Sequence, residues 1–177
     1  MKKVVINSII PILLLLAGAA DSRILAQSAG NKLSFIAGEW QGTGWMMTRN
    51  GKEFSSVTEK AECKQNCSII VVTGLGTKTD SLTNEIITVH DAFGIITYDK
   101  KTGEHFMRAY KNGEVTESEI EFIAEKIIRW STHSPTGGAI RFTADFSEPG
   151  KWKERGEFSR EGTNWMRILE MELEKKK

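Results

Sequence analysis

Prolines number three in this chain, cysteines two, histidines three and tyrosines two, and each scarcity closes off some chemistry. One cysteine pair with no histidine or further cysteine beside it does not make a zinc finger or ribbon. There is no Gly-x-Ser-x-Gly elbow, no His-Glu-x-x-His, no phosphate loop and no cysteine next to a histidine, so no local signature of a hydrolase, metalloprotease or nucleotide enzyme is present. A serine–histidine–aspartate set assembled in space stays open, because such sets do not follow chain order. The adjacent His90 and Asp91, however, point to opposite faces of a regular strand. After Leu16 no apolar run is long enough to span a bilayer. Apart from a short helical turn at Leu33–Ala37, no interior stretch keeps a helical period beyond a turn or two.

What is present begins with residues 1–26. Lys2 and Lys3 precede an apolar run from Val4 to Leu16, which ends in small residues, Ala17-Gly-Ala-Ala20. This is the order of a secretory signal peptide, with cleavage after Ala19 or, as we favour, after Ala26; a retained anchor is the alternative. Taking Lys2, Lys3 and Arg23 from the 24 bases and Asp21 from the 23 acids leaves 21 against 22. A near-neutral chain has no electrostatic draw toward nucleic acid, and Lys175-Lys-Lys177 reads as a solvated end. The expectation is one domain over 27–177, secreted or periplasmic, with no stable membrane span once the signal is removed. In an oxidising compartment Cys63-Lys-Gln-Asn-Cys67 reads as a local disulfide across a hairpin with Asn66 in the left-handed region. Free thiols or soft metal ligands are the weaker alternatives.

The rest of the chain is short and regular. Segments rich in Val, Ile, Thr and aromatics alternate with turn signals such as Asn112-Gly113, Asp99-Lys-Lys-Thr-Gly103 and Glu148-Pro-Gly150. The strands read as 39–47, 54–63, 67–76, 84–91, 93–99, 104–111, 114–122, 126–132, 138–146, 152–159 and 164–173. The count falls to ten if 84–99 is one bent strand. In 138–146, Ile140, Phe142, Ala144 and Phe146 share one face and Arg141, Thr143 and Asp145 the other, a strand wet on one side only. The last strand places Trp165, Leu169, Met171 and Leu173 on one face together with Arg167. A cation in an apolar row needs a partner, and Trp40 on the first strand offers one by cation–π stacking. First and last strands meet only if the sheet closes. The fold class is therefore an all-β, closed, up-and-down antiparallel barrel of about ten strands with a short N-terminal helical turn. Gly38, Trp40 and Arg167 are assigned to closure, and Gly42 and Gly44 to sharp bends.

Gly38-Glu39-Trp40 after a helical turn, answered by an inward arginine on the final strand, resembles the Gly-x-Trp signature of the calycin superfamily, which joins lipocalins and fatty-acid-binding proteins. The run Ala37-Gly-Glu-Trp-Gln-Gly-Thr-Gly44, with Tyr98-Asp99, Phe106-Met-Arg108 and Trp165…Glu170-Met171-x-Leu173, is similar to bacterial lipocalin-like domains that open with Gly-x-Trp-x-Gly-x-Gly. The likeness spans most of residues 33–173 and implies an apolar cavity. More distantly the opening resembles that of the nitrobindins, haem-binding barrels in which a wall histidine ligates iron. Of His90, His105 and His133, none stands in a setting that singles it out, and His133 is the least poor guess for such a ligand.

The resulting expectation is an exported carrier or sensor of a small hydrophobic ligand, non-catalytic. If Phe106, Arg108 and Tyr110 face inward, a guanidinium between two rings would hold a carboxylate such as a fatty acid's, as the fatty-acid-binding barrels do. The alternative is an Arg108 that snorkels to the rim. Trp130 is a further candidate for the lining. Two other functions stay open: a haem barrel, and a filled barrel that works as an interaction module through its surface, for which bulky residues at every inward position would be the mark. The row Glu117, Glu119, Glu121 reads as a solvated face.

Overall fold

The computed structural model describes residues 32–177; the expected signal peptide at 1–26 lies outside them. A 3-10 turn at Ser34–Ile36 leads into ten strands: β1 Gly38–Thr48, β2 Gly51–Lys64, β3 Ile69–Thr79, β4 Ile86–Asp99, β5 Glu104–Lys111, β6 Glu114–Ala124, β7 Ile127–His133, β8 Ala139–Asp145, β9 Lys151–Ser159 and β10 Met166–Lys175. Each strand pairs antiparallel with the next, and β1 pairs with β10, so the meander closes into a barrel. The turns follow the backbone chemistry of their residues. Asn112 and Gly113, both at positive φ (52° and 80°), make the two-residue loop between Lys111 and Glu114, the geometry that matches strand twist. Asp99 accepts the Lys101 amide at 2.7 Å through Oδ1 and the Gly103 amide at 2.8 Å through its carbonyl.

The segment expected at 84–99 holds one strand, β4, and not two. Its bend is a register shift opposite Gly76 and Thr77, where His90 pairs with Gly76 and Thr88 with Thr77, leaving Val89 as the extra residue. Cys63 and Cys67 are joined in a disulfide, as expected. The loop differs in detail: Gln65, Asn66 and Cys67 all take positive φ, and β3 starts only at Ile69, so Cys67 belongs to the turn.

The buried residues gather toward one end. Leu33 and Ile36 of the 3-10 turn are 0% and 3% exposed and cap that end. Beneath them Trp40 is 2% exposed, donates its indole N–H to the Ile36 carbonyl at 2.9 Å and meets Phe146 and Trp152 edge-on at 5.6 and 5.8 Å between ring centroids. These three rings form an aromatic floor at that end, with Trp40 at its centre. Gly38 contributes a positive φ of 144°, and a Cβ there would run into the Lys175 side chain.

Arg167 does not join them. Strand β10 carries a bulge at Ile168: Arg167 pairs with Glu157, and Leu169 with Gly156. The extra residue reverses the alternation, so Leu169, Met171 and Leu173 face the axis while Arg167 faces out. There it bonds Glu170 at 2.9 Å and lies exposed. Trp165 precedes β10 and stacks under the Arg141 guanidinium at 3.9 Å, also on the outer wall. The cation over Trp40 is instead Lys175, the last residue of β10, so the C-terminal lysines are not merely a solvated end.

Candidate ligand-binding site

The alternation of β5 decides the fate of the expected carboxylate anchor. His105 is buried and Met107 packs against the core, so the inward row is His105, Met107, Ala109 and Lys111. Phe106, Arg108 and Tyr110 therefore lie on the outer wall. Arg108 is exposed and reaches across to Glu117 on β6, its register partner, with Nε to Oε1 at 2.6 Å. The hydrogen bond to Glu117 leads the causes that raise its pKa further. A guanidinium already paired on the outside cannot anchor a ligand held inside. Glu117, Glu119 and Glu121 are exposed, as expected. His133 is exposed at the end of β7, on the face opposite inward Ile128 and Trp130, and cannot reach a group held within the barrel. Of the four expected lining residues only Trp130 faces in, stacked on Phe142 with centroids 5.4 Å apart.

Above the aromatic floor the interior is sparsely filled. Met46, Trp130, Phe142, Phe158 and Leu169 all face the axis, yet each keeps accessible surface and is only half-buried. On the facing wall Ala92 and Ala109 are half-buried too. A close-packed core would have covered them. The half of the barrel away from Trp40 is thus a hollow that opens between the β1–β2, β3–β4, β5–β6, β7–β8 and β9–β10 connections.

Four ionisable side chains line this hollow, and of these the sequence had offered only His90, as one of three histidines weighed for a haem ligand. Glu59 lies between Val57 and Ala61 in the inward row of β2, in register with Trp40 on one side and Gly74 on the other. The absence of a side chain at Gly74 makes room for it, since a Cβ there would stand 2.5 Å from the Glu59 carboxylate. Glu154 lies between Trp152 and Gly156 in the inward row of β9 and accepts the Trp152 indole N–H at 3.3 Å. Burial pushes the Glu59 pKa up to about 8, with the facing Glu154 adding to the rise. Burial pushes Glu154 up to about 7, against the pull of the Trp152 hydrogen bond. Nearer the mouth, burial lowers the pKa of His90 and of Lys111, and the Lys111 charge lowers His90 further. At the mouth itself Lys78 of β3 pairs with Glu53 of β2. A charged letter in the middle of an apolar row, as in Val57-x-Glu59-x-Ala61 and Trp152-x-Glu154-x-Gly156, was the signal that would have found the two acids.

His105 forms a separate feature at the closed end. It is 4% exposed, packs between Tyr98 and Phe122 at 5.0 and 5.4 Å, and its Nε2 has no hydrogen-bond partner. Burial lowers its pKa, which keeps the ring neutral there.

Ten antiparallel strands in sequential order, closed on themselves, with a 3-10 turn and a tryptophan sealing one end and a hollow at the other, define an up-and-down β-barrel. Solved structures share this architecture. Rv2717c from M. tuberculosis superposes with a TM-score of 0.57 at 11% identity, over 84% of this chain and 98% of that one. The S-type phycobiliprotein lyase CPES from Guillardia theta gives 0.54 at 11% identity, over 86% and 97%. At such identities the likeness is one of fold. No protein-family model and no curated protein matches the chain.

Proposed function

We propose that this protein is an exported carrier or sensor of a small, largely apolar molecule held in the hollow half of the barrel. The observation that carries the reading is the row of inward aromatic and aliphatic side chains, Met46, Trp130, Phe142, Phe158 and Leu169, left half-buried above a sealed floor. Such apolar surface around an open concavity, set with a few convergent polar groups, is what small-molecule sites are made of. The likeness in fold to a phycobiliprotein lyase is consistent with a barrel built to enclose a ligand. Export rests on the residue order of positions 1–26 and accords with a Cys63–Cys67 disulfide, a bond that persists outside a reducing cytoplasm. No helix among the described residues is long and apolar enough to cross a membrane.

The test is titration with N-phenyl-1-naphthylamine, a neutral dye that brightens in apolar surroundings, paired with native mass spectrometry of protein taken from its own exported fraction. Saturable binding at one site per chain, or a lipid-sized adduct in the spectrum, supports the carrier. Absence of both points to a protein that acts through its outer wall.

A further inference from the structure

Two carboxyl groups deep in a barrel are an expensive thing to fold around, and among the described residues no cation pairs with either. Glu59 receives no hydrogen bond and no ion pair among the described residues; the groups that set its ionisation are its own burial and Glu154. Glu154 is walled in by protein, and among the described residues only the Trp152 indole donates to it. Yet both residues keep accessible surface, the mark of side chains that face an internal void. The interior cations stand apart, Lys111 beside His90 on the β4–β5 wall and Lys78 already paired with Glu53 at the mouth. Lys111 feels no carboxylate strongly enough to raise its pKa.

We infer that the ligand carries a protonated amine that seats between Glu59 and Glu154, directly above the Trp40–Trp152 floor. The inference rests on the carrier reading and narrows its ligand class. Each acid supplies an acceptor on a different wall, β2 and β9, so an ammonium entering between them gains charge-assisted hydrogen bonds from both sides. The floor fits the same guest. The rings of Trp40 and Trp152 offer faces and edges to the apolar part of an amine and favour its positive end. Gly74 keeps the Glu59 carboxyl drawn back against β3, leaving the axis free.

The seating is linked to protons. The groups facing the pair are uncharged on the neighbouring strands, Trp40 on β1, Gly74 on β3, Ala144 on β8 and Leu173 and Met171 on β10; Lys175 lies over Trp40 at the closed end, and His90, Lys111, Glu53 and Lys78 lie farther toward the mouth. Near neutral pH the acids hold protons, so an arriving ammonium must displace at least one into solvent. Amine binding therefore strengthens as pH rises from about 6 to about 8.5, while a simple alkylamine stays protonated up to about 10.

The experiment displaces bound N-phenyl-1-naphthylamine with three compounds that differ only in the head group: 4-phenylbutylamine, 4-phenylbutanol and 4-phenylbutyrate. It is run at pH 6 and 8.5 on the disulfide-intact protein and on Glu59→Gln, Glu154→Gln and the double variant. The expected result at pH 8.5 is a preference for the amine over the alcohol of about 10- to 100-fold, the range of charge-assisted bonds. It shrinks at pH 6 and is lost in the double variant, read in each protein as the ratio of amine to alcohol affinity. Calorimetry in buffers of different ionisation enthalpy should show proton release on amine binding to the wild type at pH 7. If the dye binds but the alcohol or the carboxylate competes as well as the amine, the amine seat is overturned while the carrier stands. If the wild type binds no dye and carries no lipid-sized adduct, the carrier reading falls and the seat with it.

Discussion

The ammonium of Lys175 lies 5.1 Å from the centroid of the Trp40 indole and donates at 2.6 Å to the carbonyl of Ala37. The two residues are register partners across the β1–β10 seam that closes the barrel. One strand end thus brings a plug and the other a cation that lies over it and ties down the chain entering β1. Its stem occupies the space that Gly38 leaves open. Closure and capping are one event, because the plug is covered by its partner only when the seam is made.

Trp40→Ala should cost about 3–5 kcal/mol, the usual range for a large aromatic lost from a core, since it removes the floor and orphans the Ile36 carbonyl. Lys175→Ala should cost about 1 kcal/mol, because the side chain is exposed. Arg167→Ala, an exposed residue paired only with Glu170, should change stability by no more than about 0.5 kcal/mol. Denaturant unfolding of the three variants ranks them, and an Arg167→Ala loss approaching that of Trp40→Ala would contradict the outward placement.

Reduction of the Cys63–Cys67 bridge should lower stability by about 2 kcal/mol, the loop-closure entropy of so short a ring. The bridge staples a turn in which Gln65, Asn66 and Cys67 all sit at positive φ. Thermal unfolding with and without reductant measures the effect. Labelling of two thiols in protein isolated without reductant would show that the bridge is absent.

Where the alternation of the sequence failed, it did so for definite physical reasons. Strand β8 needed no correction: Ala144 and Phe146 lie in the core, and Phe142 and Ile140 continue their row. In β10 one inserted residue, Ile168, turned Arg167 outward, and a bulge leaves no trace in the period of a short strand. In β5 both faces carry apolar and charged letters, His105-x-Met107-x-Ala109-x-Lys111 against Phe106-x-Arg108-x-Tyr110. The choice was made by packing of His105 and Met107 and not by hydrophobicity. The interior acids were half legible, since each sits in an apolar row. That Glu59 of β2 faces Glu154 of β9 follows from closure, which joins strands almost a hundred residues apart and which no local pattern encodes.

The same choice of face gives a prediction about binding. Arg108→Ala removes an outer-wall pair with Glu117 and should leave N-phenyl-1-naphthylamine affinity within about twofold of wild type. Ala109→Phe, one residue along, points a ring into the hollow and should weaken the dye by about tenfold or more while the circular dichroism spectrum is kept. The reverse order, with Arg108→Ala abolishing binding and Ala109→Phe silent, would put the ligand on the outside of the barrel.

The interior acids also set a slope of stability with pH. Glu59 and Glu154 ionise near 8 and 7 in the folded chain and at about 4.3 when unfolded. Between those values the folded state binds more protons than the unfolded one, so stability falls as pH rises. The loss begins near the unfolded pKa, is largely complete by about pH 8, and is bounded above by roughly 9 kcal/mol for the two acids together. Glu59→Gln carries no such charge and should flatten the fall, leaving the variant about as stable as wild type at pH 5 and more stable at pH 8. Urea unfolding midpoints at the two pH values decide the matter. Parallel declines in wild type and Glu59→Gln would mean that Glu59 ionises normally and that water reaches it freely.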